Sequence, residues 1–212
     1  MKHPITNVKA QLKNLVQTRI PTAHGEFTLH YFSNNIDKKE HIAFVKGDVA
    51  NKQGIPVRIH SECFTGDVLG SRRCDCGEQL DMALHLINKT GCGVLIYLRQ
   101  EGRGIGLLKK LQAYNLQDKG LDTVDANIHL GHLADEREYD FAALMLENLN
   151  VKSISLITNN PNKIEELLKL GIQVNQRIPI ETNIHHDNQE YLKTKVEKMS
   201  HMLSMPDNEP SS

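Results

Sequence analysis

The run Val94-Leu95-Ile96-Tyr97-Leu98-Arg99-Gln100-Glu101-Gly102-Arg103-Gly104-Ile105-Gly106 passes from an unbroken apolar segment through glycines into a helical pattern that continues to Lys119. An apolar run of this length is a strand buried on both faces. A strand feeding a helix is the unit of an α/β sheet, which binds ligands at the carboxyl ends of its strands. Helix N-termini there offer unpaired amides to phosphate. Gly102 and Gly104 let backbone approach an anion closely, and Arg103 adds positive charge. A tight connection needing unusual dihedrals accounts for the glycines equally well.

The same alternation extends C-terminally. Tyr139 to Asn148 reads as a helix and Ser153 to Thr158 as a second buried strand. Pro161 opens a helix over 162–170, and Gly171 follows its end. N-terminally, Glu26 to Phe32 and His41 to Val45 read as a hairpin around Asn34-Asn35. Pro56 to His60 is a strand with Arg58 and His60 on one face and Val57 and Ile59 on the other. Glu78 to Lys89 is a helix striped by Leu80, Ala83, Leu84 and Ile87, and a last amphipathic helix covers 188–203. The expectation is an α/β fold in three layers, with helices on both faces of a mixed, partly parallel sheet. It forms one domain over residues 1–203, and 204–212 form a disordered tail.

Three cysteines, Cys63, Cys74 and Cys76, lie just beyond the strand ending at His60. The N-terminus has no signal-peptide pattern, which argues against disulfides, and Cys74 and Cys76 are awkwardly close to bridge each other. The chemistry that suits them is a metal site. A closed site needs four ligands, with His60 the nearest candidate for the fourth; three protein ligands leave a position for water or substrate. An open zinc site of that kind points to hydrolysis. Cys92, between glycines at the start of an apolar run, reads as a small core residue.

The net charge of −1 argues against broad nucleic-acid binding, and 5% aromatic residues without Trp offer no base-stacking platform. No apolar run is long enough to span a bilayer, so a cytoplasmic location and no membrane partner are expected. At Thr158-Asn159-Asn160-Pro161-Asn162-Lys163 the asparagines suit turn and cap hydrogen bonds. Lys163 opposes the dipole of its helix, which suggests a further job such as meeting phosphate. Ala134-Asp135-Glu136-Arg137-Glu138 reads as a solvated helix start, and Tyr114 as ordinary packing.

The cysteines, Glu101-Gly102-Arg103, Ala134-Asp135-Glu136-Arg137 and Thr158-Asn159-Asn160-Pro161 occur together and in this order. In this the chain closely resembles GTP cyclohydrolase II of riboflavin biosynthesis, over about residues 20–203 and in its stand-alone form. The resemblance implies hydrolysis of GTP to formate, pyrophosphate and a 2,5-diaminopyrimidinone ribosylamino phosphate, by a homodimer using one Zn²⁺ per chain and Mg²⁺ with the triphosphate. It implies Cys63, Cys74 and Cys76 as zinc ligands. It assigns GTP contacts to Arg58, Ile59, His60, Ser61 and Glu62, to Gln79, Glu101, Gly102 and Arg103, and to Thr123, Thr158 and Lys163. Tyr114 matches a tyrosine beside the guanine, Asp135 the proton acceptor and Arg137 the nucleophile. A guanidinium is protonated at ordinary pH and equally suits stabilising phosphoryl charge, so both roles stand open for Arg137. Two alternatives remain: a zinc-stapled nucleotide-binding module without turnover, and an enzyme that stops at the ring-opened formamidopyrimidine.

Overall fold

A computed structural model describes residues 10–203. The expected tail over 204–212 lies outside the described residues. The elements are β1 (Leu12–Thr22), β2 (Gly25–Asn34), β3 (His41–Lys46), β4 (Ile55–Ser61), α1 (Phe64–Asp67), α2 (Cys76–Thr90) and β5 (Gly93–Leu98), followed by a single 3-10 turn at Glu101–Gly104. After it come α3 (Leu107–Gln117), α4 (Thr123–His129), α5 (Asp140–Asn148), β6 (Ile154–Ile157), α6 (Pro161–Lys169), β7 (Val174–Ile178) and α7 (Gln189–Met199).

The strands form a seven-stranded sheet in the order β1-β2-β3-β5-β4-β6-β7. β1, β2, β3 and β5 pair antiparallel, while β5, β4, β6 and β7 pair parallel, so the sheet is mixed as expected. The hairpin has Thr28 opposite Val45 and Phe32 opposite His41. β1 and β7 were not foreseen, nor was α4. β1 is exposed along most of its length, with no apolar alternation to mark it, and β7 is a half-exposed edge strand.

Burial separates the two faces of the sheet. Val57, Ile59, Val94 and Ile96 pack with Phe141, Met145 and Leu146 of α5 and Leu167 of α6. Phe27, Leu95 and Ile157 pack on the opposite face with Ala83 and Ile87 of α2. Each of the larger of these side chains contributes about 1.5–3 kcal/mol by leaving water. Helices therefore cover both faces, giving three layers. Cys92 is partly buried against the first cluster.

β4 leads to α2 on one face, whereas β5 and β6 lead to α5 and α6 on the other. Where neighbouring parallel strands send their connections to opposite faces, a crevice opens at their carboxyl ends. The cysteine loop follows β4, the glycine turn follows β5 and the Thr158-to-Lys163 junction follows β6, so all three border that crevice.

Candidate active site

Cys63, Cys74 and Cys76 converge, with their sulfurs all within 4.8 Å of one another and Cys63 Sγ 3.6 Å from Cys74 Sγ. No other metal-binding group is found among the described residues. The loop closes this tightly because position 66 is glycine: a Cβ there would stand 3.1 Å from both Cys63 Sγ and Cys74 Sγ. His60 is turned to another partner, its Nε2 donating to both carboxylate oxygens of Asp67 at 3.0 Å. Asp67 also accepts from the Cys63 amide (2.9 Å) and the Tyr97 hydroxyl (2.8 Å), so it anchors the loop to β4 and β5. Sequence reading passed over Asp67, since a lone aspartate in a four-residue helix carries no pattern.

The donor set fits zinc. Hydrogen bonds from Cys74 and Cys76, helped by the Lys110 ammonium, hold Cys63 well below the ordinary thiol range. Its proximity pushes Cys74 up to about 11 and holds Cys76 well above the ordinary thiol range. A divalent cation removes that conflict, because a coordinated thiol is deprotonated outright. Three thiolates and Zn²⁺ sum to one negative charge, and Lys110 Nζ, 3.0 Å from Cys63 Sγ, balances it.

Glu101 joins the cysteine loop to the glycine turn. Its carboxylate accepts from the Phe64 amide (2.6 Å), the Gly102 amide (2.7 Å) and Lys110 Nζ (2.9 Å). The turn is left-handed at Gly102, Arg103 and Gly104, with φ of 62°, 62° and 99°. A Cβ on Gly104 would lie 2.9 Å from the Glu136 carbonyl oxygen, and the Glu136 amide donates to Arg103 O at 3.0 Å. The glycines thus serve close packing of the loop that carries Arg137 as well as backbone exposure to the crevice.

That loop is not the solvated helix start its composition suggested. Residues 135–138 have no helical structure, and Arg137 turns inward because Asp135 takes its charge. Arg137 Nε donates to Asp135 Oδ1 at 2.8 Å and Nη2 to Oδ2, a bidentate pair. Although burial opposes it, the guanidinium holds the Asp135 carboxyl below the usual range. Arg137 lines the crevice, and Asp135 stands outside its lining as the partner that orients it.

The β4 residues alternate as expected. Arg58, His60, Ser61 and Glu62 line the crevice, whereas the Ile59 side chain lies in the core. Only the backbone of Ile59 reaches inward, its carbonyl accepting from Lys163 Nζ at 2.7 Å. Gln79 on α2 receives Arg58 Nη2 (2.5 Å) and donates to Asp75 Oδ2 (2.5 Å). Arg103, Tyr114, Thr123, Thr158 and Lys163 also line the crevice. Thr158 Oγ1 accepts from the Asn160 amide, and Asn160 caps α6 at Asn162 N, both at 3.0 Å. Lys163 is 4% exposed. Burial, followed by the nearby Arg58 and Arg137, pushes it well below the ordinary lysine range. That accounts for a lysine in the first turn of a helix: it is turned away from solvent into a cluster of cations. Tyr114 is pushed up to about 12 by burial, so its phenol is neutral, with the Arg73 guanidinium 4.6 Å from the ring centre.

Several buried polar atoms around the crevice have no partner, namely Arg58 Nε, His60 Nδ1, Ser61 Oγ, Arg103 Nη1 and His201 Nε2. Such groups are ordinarily satisfied. Clustered among cations at one crevice, the two guanidinium nitrogens and the Ser61 hydroxyl are donors prepared for a polyanion. No helix among the described residues is long and apolar enough to cross a membrane.

Known proteins resemble this chain over most of its length. The riboflavin biosynthesis protein RibBA of Chlamydia trachomatis is 53% identical over 189 residues, covering 89% of this chain and 45% of that one. The proteins of the same name from Chlorobium phaeovibrioides and Bacillus cereus are each 50% identical, covering 91% and 90% of this chain and 47% and 48% of theirs. The chain therefore spans about half the length of the curated relatives it matches. Among solved structures, RibBX of A. baumannii, a two-domain 3,4-dihydroxy-2-butanone 4-phosphate synthase, gives a TM-score of 0.46 at 19% identity, over 84% of this chain and 42% of that one. That likeness is too low to bear on the site. The family model for GTP cyclohydrolase II matches residues 13–179, and the chain belongs to that family.

Proposed function

We propose that this chain hydrolyses GTP at C8 of guanine, releasing formate and pyrophosphate and leaving 2,5-diamino-6-(5-phosphoribosylamino)pyrimidin-4(3H)-one, a first step toward riboflavin. The observation that carries this reading is the opening of a three-sulfur cluster into the same crevice as unpaired donors and buried cations. One substrate with a ring to hydrolyse and a triphosphate to hold requires both.

Cys63, Cys74 and Cys76 would hold one zinc, whose open position supplies Lewis acidity and lowers the pKa of water. The reaction adds water across C8, breaks the C8–N9 bond, and with a second water releases C8 as formate. A third water accounts for cleavage between the α and β phosphorus atoms. Tyr114, kept neutral by burial, donates a hydrogen bond beside the base. Arg58, Arg103 and Lys163 hold the phosphates, with Mg²⁺ bound largely by phosphate oxygens. Lys163 needs an anion to be comfortably charged so deep among cations.

Arg137 acts as an electrostatic stabiliser of the phosphoryl group. Against the opposing effect of burial, Tyr139 and the pairing with Asp135 raise its pKa, and a firmly protonated guanidinium is a poor nucleophile. Asp135, held ionised, positions Arg137 more readily than it accepts a proton. The working form is a cytoplasmic homodimer with no nucleic-acid partner.

The test is purified protein with GTP, Zn²⁺ and Mg²⁺, assayed for formate and for product mass. Formate with about one zinc per chain is expected, and Cys74→Ser or Cys76→Ser abolishes both. Nucleotide binding without formate would reduce the chain to a binding module, and a product retaining the formyl carbon would mark an enzyme that stops at ring opening.

A further inference from the structure

The segment after β7 lies beyond residues 13–179, yet it closes one side of the crevice. Tyr191, Lys195, Met199 and His201 all line the pocket. Lys195 reaches Asp75, between the cysteines Cys74 and Cys76, with Nζ donating to Oδ1 at 2.5 Å. The two side chains are 7% and 0% exposed. From Asp75 the hydrogen bonds run through Gln79 to Arg58, so one buried chain links α7, the cysteine loop, α2 and β4.

We propose that α7 and the turn after it form the outer wall of the anion-binding side of this pocket, with Lys195 positioning Arg58 through Asp75 and Gln79, and with His201 donating to the bound anion. The inference rests on the nucleotide reading above. A buried ion pair adds little to stability, because desolvation offsets the attraction, whereas removing one partner strands the other charge. The pair therefore makes better sense as a device that fixes geometry. Without Lys195, the Asp75 carboxylate would draw on Gln79 alone, and Arg58 would lose the alignment of its Nη2.

The end of α7 is shaped for this placement. Ser200 is left-handed at φ 53°, which turns the chain back, and Met202 N then donates to Asn159 O at 2.9 Å beside the β6–α6 junction. His201 is thereby held in the pocket with Nε2 buried and unpartnered. Burial, then Lys195, Arg137 and Arg103, lower its pKa to about 3. In its Nε2–H tautomer this neutral imidazole would donate to a phosphate oxygen held among the three cations. Tyr191 completes the wall, with Lys195 Nζ 4.6 Å and the Arg103 guanidinium 5.9 Å from its ring centre.

Calorimetric titration of the zinc-loaded protein with α,β-methylene GTP, alongside thermal unfolding, tests this. Lys195→Met and His201→Ala each weaken binding by about tenfold or more, the scale for losing a hydrogen bond to a charged group. The control is Lys198→Met on the same helix, whose ammonium pairs with Asp122 and Asp125 outside the pocket. It shifts the unfolding midpoint while leaving affinity within twofold of wild type. Wild-type affinity in either pocket variant overturns the proposal, as does an equal loss in Lys198→Met. Should Lys195→Met fail to fold, His201→Ala decides by the same criterion. No binding by the wild-type protein would instead sink the nucleotide reading itself.

Discussion

Lys110 Nζ stands 3.0 Å from Cys63 Sγ and donates on its other side to Glu101 at 2.9 Å, so one ammonium bridges the cysteine cluster and the glycine turn. It is placed there by α3, one turn before Tyr114. Groups that hydrogen-bond to metal ligands commonly govern metal affinity by 10- to 100-fold. Lys110→Met removes the charge that would balance three thiolates around a bound dication. The expected outcome is a loss of zinc affinity of about tenfold or more, measured by chelator competition. Retention equal to wild type would show that Lys110 serves only the turn.

Arg137 uses the fork of its guanidinium on Asp135, a geometry no ammonium can reproduce. Arg137→Lys keeps the charge and loses the orientation. Formate and pyrophosphate release should be measured separately. Pyrophosphate release is expected to fall by about 100-fold or more, the scale for losing one preorganised donor to a transition-state charge. A lysine enzyme within tenfold of wild type would mean that charge alone suffices. A guanylyl group trapped on Arg137 would restore the nucleophile.

Gly104→Ala places a methyl group 2.9 Å from the Glu136 carbonyl, at a φ of 99° that alanine resists. The expected cost is about 1–3 kcal/mol of stability from the strained backbone. Because the displaced loop carries Arg137, turnover should fall by more than substrate affinity does. Denaturant unfolding and steady-state kinetics on the same preparation check both.

His41 is almost wholly buried against Phe141, with ring centres 4.8 Å apart, and its Nδ1 accepts from the Arg99 amide at 3.2 Å. Burial lowers its pKa from 6.5, partly opposed by Asp37. The unfolded chain therefore takes up this proton first as pH falls. Stability is complete above about pH 6.5 and declines below it until the folded group also titrates, with a limiting slope of about 1.4 kcal/mol per pH unit. His201 shifts in the same direction and adds to the effect. His41→Asn, which keeps an acceptor for Arg99, should show a shallower loss of unfolding free energy between pH 7.5 and 5.5. An unchanged slope would rule out His41 as a source.

Much of this architecture was legible because burial leaves periodic marks. The apolar run at Val94 marked a strand buried on both faces, and the alternation through Arg58-Ile59-His60 assigned side chains to core and crevice. β1 and β7 escaped because neither buries a regular face, and α4 is a short element. Lys163 was legible as a local conflict, a cation in the first turn of a helix, although only the fold shows the buried cations around it. Asp135 and Arg137 misled because a dense charge run normally faces water. Here the two charges satisfy each other, and that is a property of the pair's geometry.

Local order alone determined most of the strands and helices, that three sulfurs follow one strand end, and that glycines follow another. Periodicity and backbone preference act over a few residues and need no knowledge of the rest. The tertiary structure decided what stands beside the cysteines. Lys110, Asp67 and Lys195 come from three elements, and Lys195 lies 120 positions from the Asp75 it neutralises. A buried charge selects its partner by proximity after the chain has collapsed, and no spacing along the chain records that choice.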